Sequence, residues 1–243
     1  MGVRRIFVAV LLLVSAGESL AACEIGRSLG RHEPSLQSVF DSLLGAHVLS
    51  ARNDCLTADS AWSTPPQLTA SIVIELGAFA PKNEFGIYDE SNTSDRIRLF
   101  ASRDFTGASA NVQFTSNGHG FDVTVNGKSK GTIGSAFGFY LSTPHDVFFS
   151  DPAFNRGEDH MLAYRGNGSP FLKGPFAGTT FTAGMYLLGF EDLPLRRSDR
   201  DYQDFVALVN TAMPVPVPSG IAFLASSLLI AAAWRRSIVA TAT

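Results

Sequence analysis

The sequence lacks features that several protein classes require. Its formal net charge is −3, from 19 basic and 22 acidic residues, so it has no clustered positive charge of the kind that binds nucleic acid. Its five histidines do not occur at a zinc-binding spacing. Its longest apolar runs, near the two ends, are shorter than the roughly 20 residues of a comfortable membrane span. The charge argues against a nucleic-acid-binding protein, and the histidine spacing argues against a zinc site.

The first 22 residues have the order of an export signal. Arg4 and Arg5 precede a short apolar stretch over residues 6–16, and two alanines precede Cys23. A basic start, a short apolar stretch and a small-residue cleavage site are typical of a signal peptide. We therefore predict that residues 1–22 form a signal helix that is removed, and that the rest of the chain is exported.

The two cysteines, Cys23 and Cys55, leave two possibilities open. Residues 20–23, Leu-Ala-Ala-Cys, resemble a bacterial lipobox, in which Cys23 would carry a lipid after cleavage. In an oxidising compartment the two cysteines can instead form a disulfide, which would close a loop of about 33 residues. We favour the disulfide, because a second membrane-directed segment lies at the other end of the chain.

Residues 214–243 form that second segment. Proline alternates with valine over residues 214–218, which predicts a stiff and extended spacer. An apolar run over residues 221–234 follows, and Arg235 and Arg236 come directly after it. Paired arginines belong on the cytoplasmic side of a membrane. We predict a hydrophobic helix here, which acts either as a plain anchor or as a temporary one that is later processed.

This tail resembles that of exosortase-sorted bacterial proteins, the PEP-CTERM type in its Val-Pro variant. The likeness lies in the Val-Pro-Val-Pro-Ser-Gly segment over residues 215–220, the apolar run, and the Trp-Arg-Arg end at 234–236. It implies that a membrane processing enzyme of the exosortase type recognises the tail. The residues that it assigns to the sorting motif are Val215, Pro216, Pro218, Arg235 and Arg236.

The region between the two end segments is predicted to be mainly β. An N-terminal segment, residues 23–64, contains apolar residues at helical spacing after Ser35, which predicts one short capped helix. Residues 65–213 contain short apolar or alternating runs separated by turns, and Asn126-Gly127 is a strong hairpin signal. The fold class that this pattern favours is a β-sandwich or jelly roll. Strands are predicted within residues 68–76, 85–88, 97–100, 112–114, 121–125, 128–133, 136–141, 147–149, 161–164, 182–190 and 203–213.

The densest group of acidic side chains lies in residues 190–205. Asp199 and Asp201 are two residues apart, so on an extended loop their side chains can point the same way, and Asp204 follows. Carboxylates that meet repel one another unless a cation neutralises them, and calcium is the natural partner of such oxygen ligands. The alternative is a solvated acidic turn that forms ion pairs with the neighbouring arginines.

The same segment resembles the closing motif of a domain of unknown function that recurs in exosortase-sorted and other secreted bacterial proteins. The likeness is carried by Phe-Glu-Asp-Leu at 190–193 and Ser-Asp-Arg-Asp-Tyr-Gln-Asp at 198–204, and it extends over most of residues 35–213. It implies a calcium-associated β-sandwich with no established activity. The calcium ligands that it implies are Asp199, Asp201 and Asp204, with Glu191, Asp192 and Asp89 as further candidates.

These observations favour a non-catalytic, calcium-stabilised protein of the cell surface or extracellular matrix. One alternative is a secreted module that binds an exopolysaccharide, which would need exposed aromatic side chains. The aromatic residues available for it are Trp62, Tyr88, Tyr140, Tyr164 and Tyr186. A glycan hydrolase is disfavoured, because it needs two carboxylates across a cleft and the densest acidic residues are better explained by a cation.

Overall fold

The structure, a computed structural model, describes residues 20–21, 23–26, 33–77, 79–80, 82–173, 176–210 and 213–215. The predicted signal helix and the predicted C-terminal hydrophobic helix lie outside these residues, apart from the few positions named below. Within the described part of the chain, no helix combines the length and the apolar character needed to cross a membrane.

Short strands are the main regular elements of the described chain, with one α-helix, α1 (Leu36–Leu44), near its N-terminal end. In chain order the strands are β1 (Leu20–Ala21), β2 (Cys55–Leu56), β3 (Ala61–Ser63), β4 (Gln67–Glu75), β5 (Glu84–Asp89), β6 (Asn92–Phe100), β7 (Ser109–Ser116), β8 (Phe121–Val125), β9 (Lys128–Ile133), β10 (Ala136–Ser142), β11 (Val147–Phe149), β12 (Met161–Arg165), β13 (Ser169–Pro170), β14 (Thr180–Phe181), β15 (Met185–Phe190), β16 (Phe205–Asn210) and β17 (Met213–Val215). A 3₁₀ helix (Pro152–Asn155) lies between β11 and β12.

The strands form two large antiparallel sheets that pack face to face. The larger sheet has the order β1-β2-β12-β15-β16-β4-β7-β8-β9, the smaller has β17-β3-β10-β5-β6 with β11 beside β10, and β13 pairs with β14 alone. Aromatic rings join the two sheets: Trp62 of β3 contacts Tyr186 of β15 at 4.9 Å between ring centroids. Phe85 of β5 contacts Phe205 of β16 at 5.1 Å. The prediction of a mainly β fold of antiparallel strands with one short helix is confirmed.

Helix α1 covers the outer face of the larger sheet. Ser35 caps it, since its Oγ accepts a hydrogen bond from the Ser38 N–H at 3.2 Å, and Gly45 ends it at a φ of 102°. Its apolar face packs on the sheet, where Phe40 meets Tyr164 of β12 edge-on at 4.7 Å. The central strands are therefore buried on both faces, which explains why β15 and β16 are continuous apolar runs rather than alternating ones.

The hairpin of β8 and β9 forms where the sequence predicts it. Asn126 and Gly127 both have positive φ, 51° and 74°, as the two central residues of a type I′ turn require. Three predicted strands, 121–125, 128–133 and 147–149, have the bounds that the structure gives. The last two predicted strands are longer than the observed ones. β15 begins only at Met185, and the predicted strand over 203–213 is β16, which spans Phe205–Asn210, while residue 213 belongs to β17 of the other sheet.

The N-terminal segment belongs to the same sandwich. β2 pairs with β12 in the larger sheet and β3 pairs with β10 in the smaller one, so the strands on both sides of residue 65 share one core. Cys23 and Cys55 are joined by a disulfide, with their Cα atoms 6.2 Å apart. The bond ties the start of the predicted mature chain to β2. The described residues contain no free cysteine.

The start of the proline-rich segment is a strand at the sheet edge. Pro214 lies opposite Trp62 in the pairing of β17 with β3, and β17 is the outermost strand of the smaller sheet. An edge is where a strand tolerates proline, since that residue has no N–H to donate. Residues 216–218 of the predicted spacer lie outside the described residues.

We expect loss of the Cys23–Cys55 disulfide to lower the free energy of unfolding by about 3–4 kcal/mol, because the closed loop restricts the unfolded chain. The measurement is urea unfolding of the purified chain and of the double variant Cys23→Ser/Cys55→Ser. Dithiothreitol should destabilise the wild type by a similar amount and leave the double variant unchanged. Equal stability of the two proteins would contradict this expectation.

Candidate cation site

Five of the six predicted calcium ligands lie in one loop, residues 191–204, which joins β15 to β16. Phe190 and Phe205 pair with each other at its two ends, and both rings contact Phe85 of the opposite sheet. The loop is therefore anchored at both ends in the aromatic core. Arg200 and Tyr202 have positive φ, 58° and 55°, which turns the chain twice within three residues.

Neighbouring backbone comes close to this loop at two glycines. The Gly26 N–H donates to the Arg200 carbonyl at 2.6 Å, and a Cβ at Gly26 would overlap the Asp199 carbonyl oxygen. A Cβ at Gly189 would lie 2.5 Å from the Tyr202 carbonyl oxygen. The loop is thus held by its surroundings in a conformation that side chains at these positions would prevent.

Three carboxylates of the loop, those of Glu191, Asp199 and Asp201, converge. One oxygen from each lies within 4.8 Å of the others. Glu191 is 0% exposed and Asp201 is 1% exposed, whereas Asp199 is half-buried. We call these three residues the acidic cluster. Its burial argues against the alternative of a solvated acidic turn.

The backbone of Tyr202 orients the Glu191 carboxylate. The Tyr202 N–H donates to Glu191 Oε1 at 2.6 Å. Glu191 Oε2 is buried and accepts no hydrogen bond from the described residues. Leaving a buried carboxylate oxygen unsatisfied costs about 1–3 kcal/mol or more, so this atom is the one best placed to accept a further ligand.

The electrostatics of the acidic cluster are unfavourable without a counter-charge. The pKa of Glu191 is raised to about 7, chiefly by burial and also by the charges of Asp201 and Asp199, against hydrogen bonds from the Tyr202 N–H and the Ser198 side chain. The nearby Arg200 directs its guanidinium elsewhere: Nε donates to the Leu195 carbonyl at 3.3 Å, and an Nη lies 4.0 Å from Glu24. Calcium takes six to eight oxygen ligands, including carboxylates, carbonyls and water. The donor set of the acidic cluster fits such an ion.

The other three predicted ligands lie elsewhere. Asp192 and Asp204 form a separate pair in the same loop, since the Asp192 N–H donates to Asp204 Oδ2 at 2.9 Å. Asp89 ends β5 in the other sheet and accepts hydrogen bonds from the N–H groups of Ser91 and Gly134 at 2.8 and 2.6 Å. Burial by itself would raise the pKa of Asp89, but a hydrogen bond from the Ser91 hydroxyl, together with those from the two N–H groups, lowers it below its usual value. Asp89 therefore acts as a turn residue, outside the acidic cluster.

A cavity of about 530 Å³ opens beside the loop. It is lined by Asp59, Glu158, Asp159, Arg200 and Tyr202, among others. Burial raises the pKa of Asp59 well above its usual value, and the nearby charge of Asp159 raises it further. Burial also raises the pKa of Asp159 to about 6. No sequence signal singles out Asp59, because the fold brings it to Asp159 from 100 residues away.

The aromatic residues proposed for sugar binding are all buried: Trp62, Tyr88, Tyr140, Tyr164 and Tyr186. Trp62 and Tyr186 belong to the core between the sheets, and Tyr164 packs under α1. None of the five therefore offers an open ring face for a sugar. Of the sorting-motif residues, Val215 ends β17, whereas Pro216, Pro218, Arg235 and Arg236 lie outside the described residues.

Fold and site define a mainly β protein of two packed antiparallel sheets with a buried acidic loop. Residues 87–212 match the family model "Domain of unknown function (DUF4114)". This match covers more than half of the chain and includes the whole loop 191–204, and the chain belongs to this family.

No curated protein matches the sequence. Among solved structures, the Chromobacterium violaceum lectin CV2L, solved in complex with alpha-methyl-fucoside, aligns with 65% of this chain and 97% of its own chain. The identity is 10% and the TM-score is 0.30. A likeness at this level supports no conclusion about fold or ligand.

In the calcium-free chain, we expect the free energy of unfolding to fall as the pH rises from about 4.5 to about 7. The folded-state pKa of Glu191 is raised, so its contribution is fully present below the unfolded pKa and is lost as the pH passes the folded one. The loss amounts to at most about 3 kcal/mol. Urea unfolding in chelator at several pH values measures it. Glu191→Gln should flatten this part of the profile, and an unchanged slope in that variant would contradict the assignment.

Proposed function

We propose that the chain is an exported, non-catalytic domain of the cell surface or extracellular matrix that calcium stabilises. The observation that carries the proposal is the acidic cluster, in which Glu191 Oε2 is buried without a hydrogen-bond partner among the described residues. An ion bound there would neutralise carboxylates that otherwise repel one another in a buried site. An ion that binds only the folded chain stabilises it.

The two ends of the chain support export. The basic and apolar start of residues 1–22 has the order of a signal peptide. The tail resembles an exosortase-type sorting signal, which would hold the domain at the membrane until a processing enzyme acts on it. The cell envelope, the cell surface or the extracellular space is the location that we propose, with the membrane and an exosortase-type enzyme as partners.

The role of the ion in this proposal is structural. The cluster lies at the end of a hairpin whose strands are in the centre of the larger sheet, and its loop contacts the N-terminal segment through Gly26 and Arg200. Calcium would therefore fix the loop, and with it the surface that the loop presents. Nothing in this arrangement requires bond-making chemistry, and we assign no catalytic residue.

The test is the melting temperature of the purified full chain with excess calcium and with chelator. Calcium at 100 times its Kd contributes about 2.7 kcal/mol, which for a chain of this size corresponds to a rise of about 5–10 °C. Asp201→Asn and Glu191→Gln should each abolish most of this rise, since each removes a charged ligand from the acidic cluster.

The matched control is Asp95→Asn, which removes an exposed carboxylate in β6 whose partner is Asn92. This variant should keep the full response to calcium. A wild-type melting temperature that is the same in calcium and in chelator would contradict the proposal, as would an equal loss of response in Asp95→Asn.

A second candidate function is binding of an exopolysaccharide. The feature that favours it is the cavity beside the loop, since the aromatic residues first considered for sugar binding are buried. The cavity offers hydrogen-bonding groups from Asp59, Asp159 and Arg200, which suit the hydroxyl groups of a sugar. Tyr202 connects it to the acidic cluster, because its N–H donates to Glu191 and its hydroxyl donates to the Asp159 carbonyl at 2.8 Å. An ion in the cluster would thereby hold one wall of the cavity.

If the cavity binds sugar, then a panel of bacterial exopolysaccharides should contain a ligand whose affinity falls at least tenfold in Asp159→Asn. Isothermal titration in calcium measures the affinity, and Asp95→Asn should bind as the wild type does. Failure of the whole panel to bind, or full binding by Asp159→Asn, would remove this candidate.

A further inference from the structure

We propose that a second cavity binds a sugar unit that carries a carboxylate group, as a uronic acid does in an acidic polysaccharide. The cavity has a volume of about 320 Å³ and is lined by residues of the segments 146–148, 154–160 and 194–196. Ligand sites have volumes of roughly 300–1,000 Å³, so a single sugar unit is a ligand of suitable size. The lining residues all lie outside the acidic cluster, so the proposal does not rest on the calcium site.

Phe154 gives the second cavity an exposed aromatic ring. The residue is 42% exposed although it is large and apolar. Its ring meets that of Tyr88 edge-on at 5.8 Å between centroids, and that of Phe149 at 6.0 Å. These contacts hold the ring from the side of the protein, and its exposed part can pack on the C–H groups of a sugar ring. The buried aromatic residues of the core cannot do this.

Two arginines of the lining, Arg156 and Arg196, are available to bind an anion. Both are exposed, and neither forms an ion pair within the described part of the chain. Arg156 ends the 3₁₀ helix in the left-handed conformation, at a φ of 61°, which few residues with a side chain adopt. A guanidinium group binds a carboxylate through two parallel hydrogen bonds. Because the chain as a whole has a formal net charge of −3, an anion would be recognised by these local charges.

Hydrogen bonds fix the backbone that carries the two arginines. The Asn155 side chain donates to the Phe149 carbonyl at 2.6 Å and accepts from the Phe149 N–H at 2.9 Å, which ties the 3₁₀ helix to β11. On the other wall, the Arg197 N–H donates to the Pro194 carbonyl at 2.7 Å and closes a turn that contains Arg196. The walls are therefore formed before a ligand arrives, which lowers the entropic cost of binding.

The other polar residues of the lining suit the hydroxyl groups of a sugar. His160 is 1% exposed and stacks on Phe148 at 4.0 Å between ring centroids, and its Nε2 lies 3.4 Å from Glu158 Oε2. Glu158 and Asp146 add carboxylates that can accept hydrogen bonds from hydroxyl groups. The same two carboxylates would repel a ligand with several negative charges. A sugar with one carboxylate therefore fits the lining better than a cluster of phosphates.

The experiment is isothermal titration of the full chain, in calcium, with oligosaccharides of galacturonate, glucuronate and mannuronate. Each is compared with the same oligosaccharide after chemical reduction of its carboxyl groups to alcohols. At least one uronate should bind at least ten times more tightly than its reduced form. Arg156→Gln and Arg196→Gln should each remove most of this difference, whereas Phe154→Ala should weaken the binding of both forms.

Matched controls come from the connection between β6 and β7, which does not line the second cavity. Arg103→Gln removes an exposed arginine there, and Phe105→Ala removes a phenylalanine that is 76% exposed. Both variants should bind the uronate as tightly as the wild type does. Circular dichroism checks that every variant is folded.

Three results would each overturn the proposal: no binding of any uronate, equal binding of a uronate and its reduced form, or a preference that is unchanged in both arginine variants. Asp159→Asn distinguishes the second cavity from the one beside the loop 191–204. A uronate bound in the second cavity should keep its affinity in Asp159→Asn and lose it in Arg196→Gln. The reverse pattern would place the ligand in the cavity beside the loop and overturn the proposal.

Discussion

The burial of several carboxyl groups in one loop is the constraint on which this end of the molecule depends. Glu191, Asp192, Asp201 and Asp204 are all less than a tenth exposed, and burying charged groups is costly unless pairing or hydrogen bonds compensate them. Backbone hydrogen bonds offset part of this cost: the Tyr202 N–H donates to Glu191, and the Phe79 N–H donates to Asp192. Glu191 Oε2 and Asp192 Oδ1 remain without a hydrogen-bond partner among the described residues, and an ion at the acidic cluster would offset part of this cost.

The aromatic core makes this burial possible. Phe190 and Phe205 enter and leave the loop and pack on the same ring, that of Phe85. Because α1 covers the opposite face of these central strands, their ends are fixed from both sides. A loop on rigid strands can hold charged groups at short distances without rearrangement, and that precision is what selective cation binding needs.

Local sequence signals predict the local features of this fold well. The capped helix after Ser35 and the Asn126-Gly127 hairpin were predictable because neighbouring residues determine them. The strands β2, β3, β13 and β14, of two or three residues each, have too few residues to show a period. β2 and β3 form because the longer strands β12 and β10 provide hydrogen-bonding partners, whereas β13 and β14 pair only with each other.

The candidate site likewise combines features that neighbouring residues determine with features that depend on residues far apart in the sequence. Spacing predicts that Asp199 and Asp201 can meet, and the structure brings them together with Glu191. Spacing does not predict that Asp192 accepts a hydrogen bond from the distant Asn83, or that Gly77 packs against Asp192 and Asp204. The family resemblance predicts Asp89 as a ligand, whereas the fold places it at a turn of the other sheet.

Disulfide and cation together suggest when the domain becomes stable. The Cys23–Cys55 bond forms only in an oxidising compartment, and the buried carboxylates are least costly where calcium is abundant. If the chain is exported as we propose, then both conditions are first met outside the cytoplasm. Before export the chain would lack both the Cys23–Cys55 disulfide and the bound calcium ion. Repulsion between the carboxylates of loop 191–204 would then favour unfolded conformations of the loop. The same residues that stabilise the domain outside the cell would thus help to keep it from folding too early.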